Sequence, residues 1–191
     1  MTSFWIITAV VVLAVVITIN LYNQLVARNA QVVRAWSDVV AYQRQKTKVI
    51  PELERYVEEY LTYERELLTE VTRLRKGLGD LSPEKVDTAS LIDVEARTRN
   101  VLSRFNAVAE AYPTLASANL MRDLMRQLST IEENVAAAIT IFNRAVETFN
   151  TTLRSVPWNV VNGAFNRLDA YDPFRDTAGE ADIEYTFRAN P

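Results

Sequence analysis

The chain has 191 residues with a formal net charge of −3, and it contains neither cysteine nor histidine. The acidic balance argues against a nucleic-acid partner, and the lack of cysteine excludes disulfide bonds and thiol chemistry. Because histidine is the usual general base and the commonest transition-metal ligand, we predict no cofactor, no metal site and no catalytic activity.

Residues 1–22 are expected to form a transmembrane anchor. Only two threonines interrupt the apolar run from Phe4 to Ile19. Extended to Tyr22, the helix would measure ~28 Å, close to the ~30 Å hydrocarbon core of a bilayer. Trp5 and Tyr22 suit the two interfaces, where aromatic rings with a polar tip settle. The alternatives are a signal peptide, which needs a basic segment first, and a buried core helix, which normally has a polar face.

The charges that flank this anchor predict its orientation. No Lys or Arg precedes the apolar run, whereas the residues up to position 48 carry five basic side chains and one acid. The positive-inside rule therefore places a very short N-terminus outside and the rest of the chain in the cytoplasm. The prediction depends mainly on Arg28 and Arg34, because the other basic residues lie several helical turns further on.

Residues 23–156 are predicted to form an antiparallel four-helix bundle. The first helix should run out of the membrane to about Val49, and Pro51 should open the second, which ends near Gly77. Ser82 is the predicted N-cap of the third helix. The fourth, residues 114–154, has the longest apolar stripe at three- and four-residue spacing. Short connections favour an up-down-up-down arrangement, so the predicted fold class is all-α, with the membrane helix continuing into the bundle.

Residues 157–191 form the third predicted region, a membrane-proximal segment followed by an acidic tail. The fourth helix would be ~60 Å long, enough to bring the chain back to the membrane surface. Trp158, Val161 and Phe165 would there share one helical face. This face either caps the open end of the bundle or lies in the lipid interface.

The acidic tail begins at Asp169, and disorder is the default expectation for it. Its last residues alternate between polar and apolar as in a strand, with Ile183, Tyr185 and Phe187 on one side. The alternative expectation is that these three side chains dock on a neighbouring copy.

Polar side chains within the apolar stripes are further candidates for a structural or functional role. Asn143 and Asn150 lie seven residues apart and could form an amide network that fixes the bundle's specificity. The partners in that network would be asparagines of other helices, namely Asn23, Asn29 and Asn106. Glu64 would lie either in a wet part of the bundle or in a buried ion pair, and no second titrating group beside it indicates catalysis.

Several short motifs resemble, in order, those of the LemA family. They are Tyr22-Asn23-Gln24-Leu25-Val26, Ala35-Trp36-Ser37, Val49-Ile50-Pro51-Glu52-Leu53, Ala109-Glu110-Ala111-Tyr112-Pro113-Thr114-Leu115, and Phe142-Asn143-Arg144-Ala145-Val146 through Phe149-Asn150. The resemblance covers roughly residues 21–165. It implies a bacterial protein with an N-terminal membrane helix and a helical bundle, and it supplies no catalytic residues. The segment after Pro157 departs from the family pattern, so no role of the tail is carried over.

These observations lead to one functional hypothesis and one alternative. The first is a single-pass scaffold or assembly protein of the bacterial inner membrane that contacts lipid and associates with copies of itself. The alternative is an adaptor or signalling module that presents a face of the bundle to another protein. An enzyme is the least supported class.

Overall fold

The computed structural model describes residues 1–60, 65–111 and 119–175, and most of these residues are helical. The elements are α1 (Thr2–Tyr60), α2 (Arg65–Asp80), α3 (Thr88–Ala111), α4 (Asn119–Arg154), the single turn α5 (Trp158–Val161) and a π-helical turn (Asn162–Asn166). No strand occurs in the described ranges, so the all-α prediction is confirmed. The predicted start of the fourth helix at 114 lies outside them.

The first part of α1 is the apolar anchor, and its side chains are exposed on every side. Phe4 and Trp5 are each 69% exposed and Ile19 is 53% exposed, whereas Leu25 is fully buried. The two threonines and Asn20 donate hydrogen bonds of 2.9–3.0 Å to backbone carbonyls four residues earlier. This internal pairing suits lipid, where no water can satisfy a polar group. By length and composition, α1 is the one described helix that could cross a membrane.

Helix α1 does not end at Pro51 but continues through it to Tyr60, so the prediction that Pro51 opens a second helix is wrong. A proline inside a helix removes one backbone hydrogen bond. The buried stripe, however, continues on both sides of it, with Ile50 and Leu53 fully buried and Val57 almost so. Burial of each such side chain contributes ~1.5–3 kcal/mol, which offsets the lost bond. The residues of the predicted second helix, from Pro51 to about Gly77, thus belong partly to the end of α1 and partly to α2.

Helices α1, α2 and α3 pack antiparallel in sequence order, and α4 packs against α1. Arg75 of α2 pairs with Glu54 of α1 at 3.0 Å, and Arg104 of α3 pairs with Glu66 of α2 at 2.9 Å. Helix α4 follows α1 in the opposite direction over most of its length. The rings of Trp36 and Phe142, one from each helix, have centroids 5.5 Å apart.

The connection between α2 and α3 fixes how far those two helices reach toward the membrane. The indole N–H of Trp36 donates to the Ser82 carbonyl at 2.8 Å, and the Ser37 hydroxyl donates to the Pro83 carbonyl at 3.1 Å. The connection therefore lies at the level of Trp36 on α1. The part of α1 that precedes Trp36 and the end of α4 extend toward the membrane beyond α2 and α3.

The N-cap of α3 is Asp87 and not Ser82, which corrects the predicted start by five residues. Asp87 accepts a hydrogen bond from the Ser90 backbone N–H at 3.0 Å and another from the Ser90 hydroxyl at 2.9 Å. These bonds hold the pKa of the Asp87 carboxyl below its ordinary value. An ionised carboxylate caps the positive end of a helix more strongly than a hydroxyl does, which explains the preference for Asp87.

Candidate functional site

A cluster of charged side chains lies in the core of the bundle and joins three helices. Lys46 of α1 is fully buried, and its ammonium group lies 3.1 Å from the Glu95 carboxylate and 3.1 Å from the Thr98 hydroxyl of α3. It also forms an ion pair with Glu132 of α4. The Gln43 side-chain amide donates to the same Glu95 oxygen at 2.5 Å. The Lys46 ammonium thus has two hydrogen-bond acceptors and a second carboxylate in ion-pair contact.

The cluster contains one cation and two carboxylates, so burial favours a protonated carboxyl. Burial raises the pKa of Glu132 above its ordinary value; the Lys46 ammonium opposes this shift and the Glu95 carboxylate reinforces it. A raised carboxyl pKa contributes stability at low pH that is lost as the pH rises through the raised value. The cluster should therefore be more stable in mild acid than at neutral pH.

The geometry suits a device that fixes the relative register of α1, α3 and α4. Lys46 is wholly buried and lies between two carboxylates, so it is not presented to a substrate. Separating Lys46 from Glu95 and Glu132 would leave buried charge without compensation, which penalises any other alignment of the helices. Glu64, which was expected either in a wet part of the bundle or in a buried ion pair, lies outside the described residues. One feature of the sequence could have identified this cluster. Gln43 and Lys46 stand at positions where the three- and four-residue spacing of α1 otherwise places buried apolar residues.

Three asparagines hold a stretch of extended chain, residues 168–174, which we call the strap. Each side-chain amide donates to the backbone carbonyl and accepts from the backbone N–H of a single strap residue, at 2.8–3.0 Å. The pairs are Asn162 with Leu168, Asn150 with Tyr171 and Asn143 with Phe174. The strap residues are spaced by three, which matches the three-residue turn of a polyproline-type chain.

The strap covers the apolar surface of α1 and α4 at the membrane end of the bundle, where α2 and α3 do not extend. Leu168, Tyr171 and Phe174 are partly buried against the core. The Tyr171 and Phe149 ring centroids lie 5.5 Å apart. The Tyr171 hydroxyl crosses to α1, where it donates to the Asn29 side-chain oxygen at 3.0 Å. Burial raises the Tyr171 pKa, so this hydroxyl stays a donor near neutral pH.

This arrangement corrects two predictions from the sequence. Asn143 and Asn150 bind the strap backbone and do not form an amide network between helices, and Asn23 and Asn106 are exposed. Heptad spacing placed the two asparagines on one face but did not identify their partner. The expectation of disorder from Asp169 is likewise wrong for residues 169–174, because each third residue is bound to a bundle asparagine.

The segment after α4 lies beside the anchor, as the length of the fourth helix predicted. Val161 is buried and Trp158 half-buried, so both cap the bundle, whereas Phe165 is 65% exposed. Phe165 and six anchor residues, Tyr22 among them, line a cavity of about 500 Å³. The three predicted tail contacts, Ile183, Tyr185 and Phe187, lie outside the described residues and stay predictions.

Comparison with known proteins identifies the family. The LemA family model matches residues 35–185. Protein LemA of Metamycoplasma hominis is 23% identical over 150 residues, or 78% of this chain and 66% of that protein. Magnetosome protein MamQ 2 of Paramagnetospirillum magneticum is 32% identical over 84 residues, and MamQ of Magnetospirillum gryphiswaldense is 29% identical over 83.

The two MamQ matches each cover 44% of this chain and only 29–30% of the relative's length. The family match extends from residue 35 over most of the bundle and into the tail, and it includes the cluster around Lys46 and the asparagines that hold the strap. The N-terminal helix is apolar, exposed on every side and long enough to cross a membrane. Together with the family match, it indicates a membrane-associated protein. The chain belongs to the LemA family.

Proposed function

We propose that this protein is a non-catalytic scaffold, anchored in the bacterial inner membrane, whose copies associate side by side. The observation that carries the proposal is the continuity of α1, a helix of 59 residues that passes unbroken from the exposed anchor into the bundle core. A helix without a hinge fixes the direction of the bundle relative to the membrane. Parallel anchors would then bring equivalent bundle faces together, which is the geometry an assembly protein needs.

The outer groove between α1 and α4 supports a contact between copies. Ile141 projects from α4 and is 63% exposed, and Tyr42 of α1 is 37% exposed beside it. They line a groove of about 440 Å³ together with Ala41 and Ala137. Small residues let a second helix approach closely, and a protruding isoleucine supplies the apolar contact. The groove runs along the helix that carries the anchor, so copies that pack through their anchors would also meet here.

The proposed orientation places the bundle in the cytoplasm. Arg28 and Arg34 are exposed at the membrane end of α1, where they can meet anionic headgroups. Protease added to intact spheroplasts should leave the bundle uncut, and protease added to inverted vesicles should digest it. The opposite pattern would overturn the orientation but not the scaffold role.

Native mass measurement of the full chain in mild detergent tests the scaffold proposal. The parent protein should have the mass of several copies, and Ile141→Arg should lower it. Ser129→Arg is the matched control, because Ser129 is also exposed on α4 but lies 12 residues away, ~18 Å at helical rise. Far-UV circular dichroism should be equal for all three proteins.

The alternative, an adaptor, predicts one copy bound to a different protein. A monomeric parent would overturn the scaffold proposal. An oligomer that Ile141→Arg leaves intact would keep the scaffold but remove this groove from the contact.

A further inference from the structure

The membrane end of the bundle carries apolar side chains that nothing in the described structure covers. Val156 is 75% exposed, Val160 66% and Phe165 65%. All three lie between the end of α4 and the end of the π-helical turn. Their neighbours Trp158 and Val161 point the other way, into the bundle, so the segment has a bound side and an exposed apolar side.

At Phe165 the exposed side faces the anchor. Phe165 shares its cavity with anchor residues from Val11 to Tyr22. These two positions are 11 residues apart, which corresponds to ~16 Å of helix, about half of a ~30 Å hydrocarbon core. If the anchor spans the bilayer to Tyr22, this cavity lies within the leaflet on the bundle side, and Phe165 lies at the depth of lipid chains.

We propose that residues 156–166 form a second lipid contact, a wedge that enters the bundle-side leaflet next to the anchor. The occupant of its exposed face is lipid, because that face is continuous with an anchor that lipid already surrounds. The cavity between Phe165 and the anchor has the volume and the apolar walls to accept part of an acyl chain. The inference rests on the anchor spanning the membrane but not on association between copies.

Charges at both ends of the wedge suit the headgroup layer. Arg154 precedes it as the last residue of α4, and Arg167 follows the π-helical turn; both are exposed. Arg28 is exposed on α1 at the same end of the bundle. Basic residues beside an inserted apolar segment are attracted to anionic lipid headgroups. The exposed Asp169, which follows the Asn162-bound Leu168, reduces this attraction, but the three basic residues outnumber it.

Single nitroxide labels can test the wedge in the full chain, because the natural sequence contains no cysteine. Val160→Cys and Phe165→Cys carry the test labels, and both positions are exposed, so the labels do not enter the core. Leu13→Cys marks the anchor, and Gln127→Cys, exposed on α4, marks the aqueous surface. The labelled proteins are reconstituted in phosphatidylethanolamine–phosphatidylglycerol vesicles, and collisions with oxygen and with a nickel chelate are compared.

The wedge predicts that labels at 160 and 165 collide more with oxygen than with nickel, as at Leu13, and that the label at Gln127 shows the reverse. Labels at 160 and 165 that behave like the one at Gln127 would overturn the wedge while leaving the anchor in place. Labels screened from both reagents would assign the face to a second copy, which also overturns it. A nickel-accessible label at Leu13 would overturn the membrane span and the wedge together.

Discussion

Replacing Lys46 with methionine should destabilise the bundle by removing the only cation of the described buried cluster. Methionine keeps the apolar length of the side chain, so packing changes little. The substitution removes only the positive charge and leaves two carboxylates without compensation. The side chains of Glu95 and Glu132 are 10% and 21% exposed. Breaking a buried ion pair costs ~3–5 kcal/mol, and the partial exposure of Glu132 favours the lower end, ~3 kcal/mol. That loss is a ~150-fold change in the folded-to-unfolded ratio at neutral pH.

Guanidinium unfolding of the full chain in detergent, followed by circular dichroism, measures this loss. The loss should shrink in mild acid, because a protonated Glu132 no longer needs the ammonium group. Adding Glu95→Gln and Glu132→Gln to Lys46→Met should restore most of the stability at pH 7. Glu132→Gln alone should leave stability unchanged or raise it at neutral pH, since the amide imitates the protonated form that burial favours.

Two results would refute this reasoning. One is a Lys46→Met loss of less than ~1 kcal/mol, the size expected for an exposed pair. The other is a large loss that neither acid nor the two glutamine substitutions relieve, since this would trace the effect to packing and not to uncompensated charge.

Two further predictions concern the strap and α2. Asn150→Leu removes both hydrogen bonds to Tyr171 and should cost ~1–3 kcal/mol with faster amide exchange across residues 168–174. Gln127→Leu replaces an exposed side-chain amide of the same helix and should change neither. Unchanged exchange in the first variant would show that the asparagine does not hold the strap. Gly79→Ala should stabilise the protein by ~0.5–1 kcal/mol, because alanine favours the helix and the new Cβ meets open space. Gly77→Ala should give no gain, because the new Cβ would lie 3.1 Å from a valine methyl of α3. Equal gains in thermal unfolding would contradict the close packing there.

The anchor, the helical class and the end of α4 were predictable because each depends on a local pattern. An apolar run exposed on all sides needs no tertiary partner to be recognised, and neither does a heptad stripe that stops before Pro157. The motifs from Tyr22 to Asn150 likewise indicated the family before the fold was known. Heptad spacing also placed Asn143 and Asn150 on one face.

Tertiary packing decided what those residues contact. Pro51 stays inside α1 because burial on both sides of it outweighs one lost hydrogen bond. The local preference of proline gives no information about that burial. From the sequence, Lys46 is interpreted as a basic residue near a helix end. It is buried in the structure because α3 and α4 each place a carboxylate beside it. The asparagines of α4 bind the strap because α2 and α3 stop at the level of Trp36 and leave an apolar surface to cover. The sequence determines which faces are apolar, but only the assembled helices determine where a face lacks a neighbour.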